Sequence, residues 1–393
     1  MASARYLIVG GGMAADAAAR GIHELDATGS IALLGEEPDA PYARPPLSKG
    51  LWAGKPLDTV WRRTGELPGV ELLLGRRAVA LDLAAKRVRD DAGAEHAFER
   101  LLLATGSRPR RLPFGEDVVY FRTRRDYHRL RDLASPGRRL AVVGGGFIGS
   151  EIAAALARSG CAVTLLFPEA GIGARLFPAD LAEFLVGYYR EHGVEVLPGE
   201  QVTAIERRGA RQEVATRSGQ RRTVDGVVAG IGVEPDVELA RGAGLAIGDG
   251  ILVDAHLRTS HPDVWAAGDV ASFESPALGR RLRVEHEDNA VTMGRAAGRA
   301  MAGDQEPYTH LPAFYSDLFD LGYEAVGELD PRLETVAAWE EPFRRGVVAY
   351  ATDGRVRGLL LWNTWGKVDA ARAAIGSTVG DALAALAAAP TPA

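Results

Sequence analysis

The chain has one cysteine, Cys161, among 393 residues. A single thiol excludes an internal disulfide, a C-x-x-C redox pair and a thiolate zinc site. No metal centre is expected. The lone cysteine fits a reducing compartment, and a small buried thiol is its expected role. No apolar run reaches the ~20 residues that a membrane span needs. The first core strand, Tyr6 to Val9, begins almost at once and leaves no room for a leader, so a cytoplasmic protein is expected. The net charge of −6 gives no basic field for nucleic acid as the main partner.

What is present is glycine in a particular order. Val142-Val143-Gly144-Gly145-Gly146-Phe147-Ile148-Gly149-Ser150-Glu151 reads as a buried strand, a turn and a helix start. Gly144, Gly146 and Gly149 fit G-x-G-x-x-G. The first glycine makes the turn, the second lets a pyrophosphate approach, and the third lets helix and strand pack closely. Val9-Gly10-Gly11-Gly12-Met13-Ala14-Ala15 repeats the pattern in its alanine form. Glu36 follows the next strand, roughly 25 residues after the first glycine, where an acid would meet an adenosine ribose. Two fingerprints imply two bound dinucleotides and electron transfer between them. The chain is long enough for two or three domains.

Other stretches admit two readings each. Pro41 to Lys49, stiffened by prolines, is either a surface turn or a rigid cationic loop, carrying Arg44 and Lys49, over a flavin and its phosphates. The arginines from Arg122 to Arg139 form either a solvated helix face or a set in which Arg122 reaches a pyrophosphate and the others meet an acidic partner. Asp269, in Gly268-Asp269, is a turn or cap residue or a ligand of ribityl hydroxyls. Val284 to Ala290 is an N-terminal capping cluster or the lead into a small-faced helix packed on a cofactor. Glu169 would hold a ribose and repel a 2′-phosphate that Arg175 would welcome, which favours NADH over NADPH. After Gly303, strands at Tyr323–Leu329, Thr335–Trp339, Gly346–Tyr350 and Arg357–Trp362 predict an antiparallel sheet. A helix from Lys367 to Ala374 follows, and Ala382 to Ala389 reads as a last helix or a frayed tail.

The whole arrangement resembles the two-dinucleotide flavoprotein reductases, most closely the apoptosis-inducing-factor proteins and the bacterial NADH–ferredoxin reductases. The residues that carry the resemblance are Pro41-Tyr42 with Arg44-Pro45-Pro46-Leu47-Ser48-Lys49, Gly144 to Glu151, Leu166-Phe167-Pro168-Glu169 and Val284-Glu285-His286. Ser316-Asp317-Leu318, Gly322-Tyr323-Glu324-Ala325 and Leu361-Trp362-Asn363 continue it. It implies an α/β fold with a discontinuous FAD-binding domain (1–112 and 233–308), an NADH-binding domain (113–232) and a C-terminal α+β domain (309–393).

On the FAD side the resemblance implies Gly10, Gly12, Met13, Ala14, Glu36, Arg44, Lys49, Val79, Arg122, Gly268, Asp269, His286 and Tyr315. Glu285 is counted with this set, although the resemblance also turns it toward NADH. On the NADH side it implies Gly144, Gly146, Phe147, Ile148, Gly149, Glu169, Arg175, Gly232, Glu324 and Asn363. Lys49 and Glu151 would be the catalytic pair beside flavin N5. The implied activity is hydride transfer from NADH to FAD, then electron transfer to a ferredoxin-like protein, a quinone or oxygen. A second implied reading is a redox-sensing protein with slow turnover, a stable charge-transfer complex and NADH-linked oligomerisation, for which a homodimer is a natural state. Tyr315 stands where the family often has Trp. The targeting segment and the long C-terminal insertion of the animal proteins are missing, so no apoptotic role is implied. The segments Arg44-Pro45-Pro46 and Gly268-Asp269 argue against a flavin monooxygenase, and the lone cysteine argues against a disulfide reductase.

Overall fold

The computed structural model describes residues 2–390. Both glycine fingerprints lie in βαβ units. The first comprises β1 (Ala2–Val9), α1 (Met13–Leu25) and β2 (Ile31–Gly35). The second comprises β3 (Arg139–Val143), α2 (Phe147–Arg158) and β4 (Ala162–Phe167). In each, the two strands pair in parallel with the helix between them, as short apolar runs joined by a crossover helix should.

The chain forms two compact units. The first comprises Met1–Ala43, Leu57–Arg108 and Glu234–Pro312. Its seven-stranded sheet runs Val70–Leu74, β2, β1, Glu95–Leu103, Arg87–Asp90, Ala78–Asp82, with Val264–Ala266 added against Glu95–Leu103. Tyr6, Leu7 and Ile8 of β1 are completely buried. A long helix, α3 (Glu287–Met301), crosses α1 at very close range. A Cβ on Gly294 would stand 2.3 Å from the Ala14 carbonyl oxygen, and one on Gly298 would stand 2.1 Å from that of Ala18. The small residues of α3, open in sequence to a cofactor-packing reading, therefore include two glycines that serve a helix–helix contact.

The second unit comprises Arg44–Pro56, Pro109–Val233 and Ala313–Ala393. Its parallel sheet runs Glu195–Pro198, β4, β3, Gly226–Ala229, Val119–Tyr120. A three-stranded antiparallel sheet (202–224) accompanies it. The C-terminal sheet is five-stranded and antiparallel, in the order β5 (Ala313–Leu318), β6 (Leu321–Gly327), Arg355–Trp362, Arg345–Thr352, Glu334–Glu341. The expected strands are present with somewhat different ends, and β5 is an additional strand that its crowded aromatics concealed. The alanine-rich end is a helix, Val379–Ala388. The loop 44–56 groups with the second unit, whereas the expected domain limits assign it to 1–112.

Candidate active site

The two turns combine tight packing with open space. A Cβ on Gly10 would lie 2.0 Å from the Ala104 carbonyl oxygen, and one on Gly149 only 1.7 Å from that of Gly144. At Gly12 and Gly146, the N-caps of α1 and α2, an added Cβ meets nothing within 4 Å, and neither cap makes a side-chain hydrogen bond. Neither helix start thus carries a side chain that caps its first amides or fills the room beside its first residue, an arrangement that suits pyrophosphate oxygens. The residues fit two dinucleotides.

In the first unit, Met13 and Ala14 open α1 and are nearly buried. Glu36 is exposed just beyond β2, and Val79 is 40% exposed on its strand. Gly268 has φ +78°, and Asp269 follows it, accepting a 2.7 Å hydrogen bond from Ser107 Oγ. Glu285 pairs with Arg283 at 2.6 Å, and Arg283 also reaches Asp249 at 2.8 Å. Burial tends to lower the Arg283 pKa, but the two carboxylates outweigh it and leave it raised. His286 is the N-cap of α3.

The second unit gathers Lys49, Glu151 and Tyr315. Glu151 sits in the second turn of α2 and is 3% exposed. Its Oε1 accepts from Lys49 Nζ at 2.8 Å and from Ser316 Oγ at 2.6 Å; Oε2 accepts from Ser48 Oγ at 2.6 Å. The Lys49 ammonium also lies 5.2 Å from the Tyr315 ring centroid, within cation–π range. Arg44 donates to the Arg122 carbonyl oxygen at 3.1 Å. Arg122 leads into the helix Arg124–Leu133, which starts with a Thr123/Asp126 capping box.

Phe147, the first residue of α2, contacts Phe314 edge-on at 5.5 Å and Tyr323 at 6.4 Å. Phe177 meets the edges of Tyr323 and Trp362, which stack on each other at 5.8 Å. Burial, and then the charge of Glu151, push the Tyr323 phenol well above its ordinary pKa. Glu169 and Arg175 form an ion pair at 2.5 Å, so these two candidates occupy each other. Glu324 accepts from the Gly366 amide at 2.7 Å, and burial raises its pKa. Asn363 adopts a left-handed conformation, φ +48°, and its amide donates to the Gly322 carbonyl. Gly232 is also left-handed, φ +93°.

The sequence gives no individual role to Ser48, Ser316 or the rings around Phe147. Ser48, Ser316, Tyr323 and Trp362 stand within the segments that carry the family resemblance, which was the available signal. Among the described residues no cluster of metal-ligating side chains occurs, and no helix is long and apolar enough to cross a membrane.

The sequence profile of the pyridine nucleotide-disulphide oxidoreductases matches residues 4–294. The chain belongs to that family. It is an FAD-dependent NAD(P)H oxidoreductase, and with one cysteine it lacks the thiol pair of the family's disulphide chemistry. A second profile, the C-terminal region of mitochondrion-associated apoptosis-inducing factor, matches residues 297–342. The chain is 35% identical to the ferredoxin–NAD(+) reductase component of the Burkholderia cepacia anthranilate 1,2-dioxygenase system, covering 95% of this chain and 94% of that one. It is 31% identical to apoptosis-inducing factor 1 of Dictyostelium discoideum, covering 94% and 77%. Putidaredoxin reductase, in its covalent complex with putidaredoxin, superposes with a TM-score of 0.90 at 29% identity, covering 99% of this chain and all of that one.

Proposed function

We propose that the protein oxidises NADH and delivers the electrons to a ferredoxin-like protein, the alternative acceptors being a quinone or oxygen. The observation that carries this reading is the buried pair of Lys49 with Glu151, the latter on the helix that the second glycine turn starts. FAD, when bound, supplies a two-electron acceptor for nicotinamide and a one-electron donor for an iron–sulfur centre. The protein's own contribution is positioning and charge. Lys49, oriented by Glu151, would offer positive charge to the flavin, and Tyr315 would offer a ring beside it. Gly144, Gly146, Ile148 and Gly149 would hold the NADH pyrophosphate, Phe147 would yield to or stack on nicotinamide, and Glu169 would hold the ribose. Arg175, Gly232, Glu324 and Asn363 complete the proposed NADH set. Gly10, Gly12, Met13, Ala14, Glu36, Arg44, Val79, Arg122, Gly268, Asp269, Glu285 and His286 form the proposed FAD set. The domain limits 1–112 with 233–308, 113–232 and 309–393 are proposed with them. Full-length likeness to a reductase named for ferredoxin supports the choice of acceptor.

The test is steady-state turnover with NADH and [2Fe–2S] ferredoxins. Turnover that falls as salt rises is expected. Ferricyanide reduction without turnover on any ferredoxin would reject the assignment. The match to the apoptosis-inducing-factor C-terminal region favours a second reading, slow redox sensing. It requires a long-wavelength band that survives in air after NADH addition, together with a rise in solution mass; unchanged mass counts against it.

A further inference from the structure

Glu151 has more partners than an ion pair needs. Its carboxylate accepts from two serine hydroxyls and one ammonium, and the serines lie 103 positions before it and 165 after it. Ser48 is 5% exposed and Ser316 is completely buried. A hydroxyl carries one proton and two lone pairs. Ser316 gives its proton to Glu151 Oε1, which also receives Lys49.

We propose that Ser316 and Ser48 are positioning residues for NADH oxidation: their hydroxyls hold the Glu151 side chain in one orientation, and through it fix the place of the Lys49 side chain. The inference rests on the role proposed above for the Lys49–Glu151 pair. A buried ion pair is favourable only where its geometry is held and further hydrogen bonds satisfy its remaining lone pairs. The other titratable groups around Glu151 do not assist. Tyr189, from the helix Ala179–Glu191, donates to the Ser150 carbonyl at 3.1 Å, and Tyr189 and Tyr323 are both held neutral by burial. Asp317 of β5 brings a further negative charge into the same electrostatic neighbourhood. Lys49 and the two serines are left to stabilise the carboxylate.

The test uses the FAD-loaded protein and its Ser316→Ala, Ser316→Thr and Ser48→Ala variants. One readout is independent of activity: the rate at which Lys49 reacts with an amine-directed reagent at fixed pH, followed by mass spectrometry. The other is flavin reduction by NADH in a stopped-flow instrument. In Ser316→Ala, Lys49 is expected to react about tenfold faster, because the carboxylate that holds it has lost a donor. The reduction rate should fall about tenfold with NADH affinity nearly unchanged, since the loss is one of orientation. Ser316→Thr, which keeps the hydroxyl, should restore both. An unchanged reduction rate with unchanged Lys49 reactivity overturns the proposal, as does a rate loss that threonine does not recover. Should Ser316→Ala fail to fold, Ser48→Ala carries the same measurements through the other carboxylate oxygen. Glu151→Gln separates the two claims. A wild-type reduction rate in that variant removes the role of the ion pair itself. A slow Glu151→Gln beside an unaffected Ser316→Ala overturns only the serine inference.

Discussion

A single methyl group separates the two uses of glycine in the turn after β3. At Gly149 it would be driven into the Gly144 carbonyl, 1.7 Å away, where only backbone movement relieves the clash. Gly149→Ala should cost about 3 kcal/mol, the upper range for overpacking, visible as a lower urea midpoint. At Gly146 the same methyl enters empty space, and its φ of −86° suits alanine. Gly146→Ala should leave the midpoint nearly unchanged but weaken NADH binding about tenfold or more, because the methyl takes the room of the pyrophosphate. Equal binding by the variant and the wild type would place the pyrophosphate elsewhere. The glycines were legible because a turn imposes local spacing. The partners of Glu151 were not: Ser48 and Ser316 reach it through tertiary folding, across more than 100 positions each, and serine carries no pattern that marks such a role. Glu169 and Arg175 were both singled out, but their mutual ion pair depends on a loop path that periodicity does not encode.

Among the elements, the contact of α1 with α3 is the most sharply determined. Gly21, Gly294 and Gly298 each stand opposite a carbonyl of the facing helix, with an added Cβ at 2.1–2.3 Å. Gly298→Ala should therefore destabilise the first unit by about 2 kcal/mol, even though alanine favours helix by about 1 kcal/mol relative to glycine. A higher melting temperature for this variant would show that propensity outweighs the contact. The helix Arg124–Leu133 depends on a different local device. Thr123 Oγ1 accepts from the Asp126 amide and Asp126 Oδ2 accepts from the Thr123 amide, so Thr123→Ala should cost about 1 kcal/mol. The sequence marked this helix and both βαβ units, because strand–turn–helix patterns are written in consecutive residues. It left the direction of α3's small face open, since a helix wheel identifies a close approach without identifying what approaches. The strand β5 was hidden for a related reason: Phe314 and Tyr315 stand on opposite sides of a strand whose burial alternates only in part.

At the scale of the molecule, the second unit concentrates phenols that resist ionisation, and this sets its behaviour in alkali. Burial and the hydrogen bond to Asp320 push Tyr188 up to about 12. Burial, then the Glu151 charge, raise Tyr189 and Tyr323 well above their usual value, and Tyr350 is raised chiefly by burial. In the unfolded chain these phenols titrate near 10. Between that pH and the folded values the native state holds more protons than the unfolded state, so stability falls as pH rises. The contribution is fully present below about pH 10 and is lost progressively through 12 and beyond. Urea midpoints measured from pH 8 to 11.5 should therefore be flat on this account up to about 9.5 and then decline. Tyr188→Phe removes one of the groups responsible, so its midpoint should decline less steeply between pH 10 and 12 than that of the wild type. The ultraviolet phenolate titration of the native wild type should also show fewer tyrosines ionising near 10 than the ten in the sequence. A native titration in which all ten ionise together near 10, with identical pH slopes for variant and wild type, would mean that these phenols are open to water and that the packing around Glu151 is looser than the geometry requires.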